Sequence, residues 1–175
     1  YPTSYIPTYG VSQTRATDNT ATLDLSPVGL NGEDVTHFIE FKNNQDILRD
    51  NGGTSFKFSS NTSNLGSLRI YRSSSTAKQL TVVFQDTSGN FVPNGYEMTS
   101  LNPKVAIKRV WSTGEIKVFV DGNKVVDGAS TLFNSWNKVD MEGTGSIIEV
   151  NQLVSFPMAL SDLDLAILTG ATTYN

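Results

Sequence analysis

The chain has 175 residues, of which 38% are hydrophobic and 17% charged, a balance too apolar for a disordered segment and too polar for a membrane-embedded one. Its 13 basic residues against 17 acidic ones give a formal charge of -4, so no global positive field attracts a phosphate backbone and nucleic acid is not an expected partner. Cysteine is absent, which removes disulfides, thiolate metal sites and cysteine nucleophiles together and leans towards assembly in a reducing compartment.

This length suits one domain over residues 1–175. No apolar run reaches the length of a membrane helix, so no membrane insertion is expected. The opening Tyr1-Pro2-Thr3 has no initiating Met, basic region or apolar core of a signal peptide, and the chain reads as a piece of something longer.

In chain order, strand-like runs fall at Thr20–Leu25, Asp34–Lys42, Ser55–Phe58, Leu68–Arg72, Leu80–Gln85, Val105–Trp111, Ile116–Asp121 and Ile147–Phe156. Turn signals punctuate them at Asn31-Gly32, Asn51-Gly52-Gly53, Ser88-Gly89-Asn90, Asn94-Gly95, Thr113-Gly114, Asp121-Gly122 and Asp127-Gly128. Many short strands with close turns predict an all-β antiparallel sandwich. On the first long run, His37 is in phase with Val35, Ile39 and Phe41, which makes it a half-buried structural residue rather than a base.

The clearest hairpin spans Lys104–Val126. Its middle strand puts Ile116, Val118 and Val120 on a core face and Lys117 and Phe119 on the other. Asp121-Gly122 between β-branched runs predicts a type I′ turn, whose two central residues need positive φ. A single helix is expected over Ser161–Leu168, with Ser161 as cap, Asp164 completing a box-like pattern and Gly170 as the stop. At about two turns it needs tertiary support, and Leu163, Ala166 and Ile167 are the residues expected to pack on the sandwich.

Three segments resemble one family. Ser4-Tyr5-Ile6-Pro7-Thr8 with Gly10, Thr14-Arg15-Ala16 and Asp18 looks like a signature that opens certain jelly-roll domains. Gly114-Glu115-Ile116-Lys117-Val118-Phe119-Val120-Asp121-Gly122 resembles a strand-and-turn pattern of laminin-G-like sheets, with Asp where Asn is commoner. The stretch Leu153–Asp162, leading into Leu165 and Leu168, is similar to the last core strand and terminal helix of the same group. The sequence therefore resembles the concanavalin-A-like, laminin-G-like jelly rolls of phage tail-fibre, receptor-binding proteins. The resemblance implies a two-sheet jelly roll with one short C-terminal helix and a recognition role, often for glycans. It also implies a place in the virion at the end of a frequently trimeric fibre, acting outside the host cell. It hands over no binding residues.

Glycan hydrolases use the same fold, and retaining ones of this type need two acids in phase on one strand, because acid and nucleophile flank one bond. No Glu-x-Asp-x-x-Glu pattern occurs. Glu33-Asp34 adjoins a Gly turn, Asp140 and Glu142 fit a strand edge, and Asp162 and Asp164 suit a helix start, so each has a structural role to fill. His37 is the only histidine, which excludes multi-histidine metal sites. No cofactor is expected, and calcium is at most an addition through Asp86, Asn90 and Asp121, which form no dense acidic loop.

Sugar sites combine flat aromatic faces with planar polar groups. The candidate ligand-binding residues are Tyr71 with Arg69, Tyr96, Trp111 beside the turn at 112–114, and Trp136 flanked by Asn134 and Asn137; Phe119 with Lys117 is a further pair. For any one of these aromatics, core packing is the competing explanation. Trp111 and Trp136 lead because both adjoin polar, turn-like sequence. The expected function is non-catalytic binding of a host surface glycan, the expected assembly a homotrimer. The alternatives are a structural or oligomerisation domain of a fibre and, behind it, a glycoside hydrolase.

Overall fold

The structure, a computed structural model, describes residues 22–24, 34–41, 55–59, 67–72, 79–85, 91–97, 100, 102–129, 136–142 and 150–172. These form two antiparallel sheets. The six-stranded sheet is ordered β1 (Thr22–Asp24), β10 (Lys138–Glu142), β3 (Ser55–Ser59), β4 (Ser67–Arg72), β5 (Gln79–Gln85) and β6 (Phe91–Glu97). The five-stranded sheet is ordered β11 (Val150–Phe156), β2 (Val35–Phe41), β7 (Lys104–Val110), β8 (Glu115–Val120) and β9 (Asn123–Ala129). One short helix, α1 (Asp162–Leu168), follows β11. Among the described residues no helix is long and apolar enough to cross a membrane.

The core lies between the sheets because strand alternation sends one set of side chains inward from each. Ile39 and Phe41 of β2, Val105 and Ile107 of β7, and Ile116, Val118 and Val120 of β8 meet Phe56, Phe58, Leu68, Ile70, Val82 and Val139 of the opposite sheet. The expected inward set of β8 is therefore the observed one. His37 is 1% exposed and stacks on Phe58 at a centroid distance of 4.6 Å, in phase with its buried neighbours. At the β8–β9 turn, Asp121 has φ 47° and Gly122 φ 83°, the paired positive angles expected there.

A second, smaller core sits on the outer face of the five-stranded sheet, where Ala106 and Phe119 are covered by Leu165 and Ala166 of α1. Phe119 is fully buried beneath the helix and is not open to a ligand, unlike its expected role beside Lys117. The helix starts as expected, with Ser161 and Asp164 forming a reciprocal capping box. Of the three residues expected to pack, Ala166 does and the other two do not. Leu163 and Ile167 are 49% and 56% exposed, and the inward stripe is Asp162, Leu165, Ala166 and Thr169, spaced i, i+3, i+4, i+7. Two of those four are polar, so an apolar-only stripe points the wrong way. Asp162 meets Lys117 at 3.0 Å and Lys108 at 3.3 Å, while Thr169 Oγ1 accepts the Gly122 N–H at 3.0 Å.

Two expected turns are strand interior instead. Asn94-Gly95 lies within β6 and Asp127-Gly128 within β9. Both strands end their sheets, and an edge strand tolerates Gly and Pro that a central strand does not. The last strand starts at Val150.

Candidate ligand-binding rim

At the end of β7 the chain leaves the five-stranded sheet through a turn over Trp111–Gly114, and Gly114 takes φ 69° to complete it. Asp34, just before β2, fixes this turn by accepting the Trp111 backbone N–H at 2.8 Å. Thr113 Oγ1 accepts the Glu115 N–H at 3.3 Å. A braced turn at the sheet end holds the Trp111 indole at the rim, where it is 41% exposed.

Arg109, two residues earlier, points from the same strand into the sandwich and is 3% exposed. Its guanidinium lies 4.4 Å from the Trp111 ring centroid and 5.0 Å from that of Trp136, so two indoles share one buried cation. Burial lowers its pKa to about 10, which leaves it charged at neutral pH. Trp136 then packs on Phe58 at 5.6 Å, and Phe58 on His37. His37 Nδ1 is 2.8 Å from Ser155 Oγ, its partner across β11. Burial first, and the charge of Arg109 second, lower the His37 pKa to about 3, so the ring is neutral and cannot serve as a base of ordinary strength.

The two leading aromatics thus separate. Trp111 is presented to solvent, whereas Trp136 is 2% exposed and belongs to the main core, with its neighbours already Phe58, His37 and Arg109. Its expected place in a sugar site is corrected to a packing role. Asn137 is half-buried, and its backbone N–H donates to Ser59 O at 3.1 Å, which starts the β10–β3 ladder. Arg69 pairs in register with Lys57 and Val83, Tyr71 with Ser55 and Thr81, and Tyr96 with Leu80. The side chains of Arg69, Tyr71 and Tyr96, and all of Asn134, lie outside the described residues.

Lys57, between Phe56 and Phe58 on β3, is 1% exposed. It stands opposite Asp140 in the ladder, and Asp140 in turn accepts from Ser59 Oγ at 3.2 Å and pairs with Lys138 at 2.9 Å. Among the described residues no group of three or more His, Cys, Asp or Glu side chains is placed to hold a metal ion. Asp121 Oδ1 accepts the Lys104 N–H at 2.9 Å, while Asp86 and Asn90 lie outside the described residues.

No family model matches the chain, and no curated protein does. Among solved structures it is similar to the botulinum neurotoxin serotype D binding domain, at 12% identity and a TM-score of 0.64 over 88% of this chain and 40% of that one. It is similar to the Ruminococcus gnavus IT-sialidase CBM40 bound to alpha2,3 sialyllactose, at 16% identity and a TM-score of 0.56 over 86% of this chain and 93% of that one. It is also similar to a leech intramolecular trans-sialidase, at 19% identity and a TM-score of 0.60 over 89% of this chain and 26% of that one. The chain thus spans less than half the length of the neurotoxin and trans-sialidase chains. At such identities the likeness establishes the architecture alone, a two-sheet antiparallel jelly-roll sandwich.

Proposed function

We propose that this domain is a non-catalytic glycan-binding module which, at the tip of a phage tail fibre, recognises polysaccharide on the host surface. The observation that carries the reading is Trp111: a large indole held at the rim by a braced turn, backed by a buried guanidinium and left 41% exposed. An exposed flat ring stacks on the apolar face of a sugar, and a fixed backbone beneath it limits the entropy lost on binding. Fold neighbours support the class of ligand, since one of them is a CBM40 holding sialyllactose.

The carboxylates support the non-catalytic part. Among the described residues, Asp34 braces the Trp111 turn, Asp121 braces Lys104, Asp162 is ringed by lysines and Asp164 caps α1, so these four carboxylates have structural roles. The trans-sialidase neighbour matches over 26% of its own length, which does not transfer its activity.

A glycan array that includes host surface polysaccharides tests the reading on the whole chain. Saturable binding without release of reducing ends, weakened about tenfold or more by Trp111→Ala, is the expected result, tenfold being about 1.4 kcal/mol. No binding across the array, or turnover abolished by one acidic substitution, sinks it. A second reading, a structural or oligomerisation domain of the fibre, is favoured by one observation: Met158, Leu163 and Ile167 are exposed on and beside α1. A concentration-independent trimer that Leu163→Lys dissociates, with no ligand on the array, would support it instead.

A further inference from the structure

The opposite end of the five-stranded sheet holds a recess of about 210 Å³ lined by Glu40, Phe41, Asn102 and Asn151. It is far from the Trp111 rim, because Asp34, which braces Trp111, directly precedes β2 and Glu40 lies near the other end of that strand, six extended residues and about 20 Å further on. Its geometry is set by a bulge in the edge strand β11. Val150 pairs with Phe41 and Gln152 with Glu40, so Asn151 is the extra residue between them. Bulges re-aim side chains, and this one turns the Asn151 carboxamide onto Glu40, with Nδ2 donating to Oε2 at 2.9 Å. A carboxylate only accepts, which fixes the amide nitrogen on that side and leaves the Asn151 carbonyl oxygen for other contacts. The second Glu40 oxygen, Oε1, has a loose ion pair with Lys104 at 3.8 Å, and both side chains are partly exposed. Phe41, 1% exposed, forms the apolar floor.

We propose that this recess is a second ligand site, which takes one ring of a neutral sugar through adjacent hydroxyls. Neighbouring hydroxyls each donate and accept, and they match a carboxylate with spare lone pairs beside carboxamides that do both. The volume is below the roughly 300–1,000 Å³ of pockets for drug-sized ligands, so it suits a single ring rather than a chain. The Glu40 carboxylate disfavours a sugar acid. A calcium ion needs oxygen on several sides, whereas here an amide N–H and an ammonium face the carboxylate. The site extends the glycan-binding reading to a second place and is independent of Trp111. A domain with both sites would grip a polysaccharide at two points, raising avidity through effective concentration.

The test follows the side-chain amide signals of Asn102 and Asn151 by NMR in the whole chain during titration with methyl α-mannoside, methyl α-glucoside and methyl β-galactoside. Sodium glucuronate and calcium chloride serve as charged probes. At least one neutral glycoside should shift both signals saturably, with a Kd of about 1 mM. Asn151→Ala, at an exposed position, and Glu40→Gln, at a partly exposed one, should each weaken that binding about tenfold or more. Three outcomes overturn the proposal: no saturable shift with any neutral glycoside, tighter binding of glucuronate or calcium, or shifts that both variants leave intact. A Trp111 indole N–H that responds to glycans while both amides stay silent would remove this site and leave the Trp111 reading standing.

Discussion

Arg109 is a charge nearly removed from water, and its environment explains why two tryptophans with similar local sequence have opposite fates. Its guanidinium faces both indoles, but Trp136 lies inside the sandwich while Trp111 closes the outer side. Trp136→Ala should therefore cost roughly 3–5 kcal/mol of stability, as large-to-small core substitutions do, and Trp111→Ala less than about 1 kcal/mol. Urea unfolding of the two variants checks the ordering, and equal losses would contradict it. The sequence did not separate them, because both adjoin polar residues and only the pairing of β10 with β3 takes Trp136 inward. Alternation was a better guide on β2 and β8, where a period of two left one choice of face for His37 and Val118. Val118→Asp should accordingly prevent soluble folding by burying an uncompensated carboxylate, and a soluble, cooperatively unfolding variant would show the face inverted.

The helix α1 and the β8–β9 turn hold each other. Gly122 donates its N–H to Thr169, and a Cβ at Gly122 would come 2.9 Å from the Ala171 backbone nitrogen, at a φ that disfavours any other residue. Gly122→Ala should therefore cost more than about 1 kcal/mol, from strain and from lifting the end of the helix. Ser161→Ala, which opens the capping box at the other end, should cost about 1 kcal/mol. Thermal unfolding of both variants gives the comparison, with Gly122→Ala the more damaging. Capping and turn chemistry were legible because they rest on residues adjacent in sequence. The packing face of α1 was not, since Asp162 joins the inward stripe through Lys108, Lys117 and Lys124, which arrive from three strands. Edge strands were misjudged for a related reason: Asn94-Gly95 and Asp127-Gly128 are turn formers locally, and only the strand order reveals that they sit where a weak strand is tolerated.

For the whole molecule, two sheets enclosing one core were readable from strand count and alternation, whereas the recess at Glu40 was not, because its bulge depends on the register of β11 against β2. The same enclosure makes stability depend on pH through His37. Its folded pKa, lowered from 6.5 to about 3 chiefly by burial and then by Arg109, means that the unfolded chain binds a proton that the folded chain refuses. Stability from this group is thus fully present above the unfolded value and is lost as pH falls from about 6.5 towards 3, at up to about 1.4 kcal/mol per pH unit. Asp162 acts in a lower window. Burial raises its pKa, but hydrogen bonds and charges from Lys117 and Lys108 outweigh that and hold it below 3.8, so its contribution is lost only as pH falls through the carboxylate range. Between pH 7 and pH 5, then, His37 alone should lower the unfolding free energy by about 2 kcal/mol. Urea unfolding at both pH values measures this in the parent chain and in His37→Phe. The substitution keeps a flat ring against Phe58 and gives up the contact with Ser155, so its absolute stability shifts; the difference between the two pH values isolates the titration. The parent should lose about 2 kcal/mol and the variant close to none. An equal loss in both would place the pH dependence in other groups and show His37 to be more accessible to protons than its burial implies.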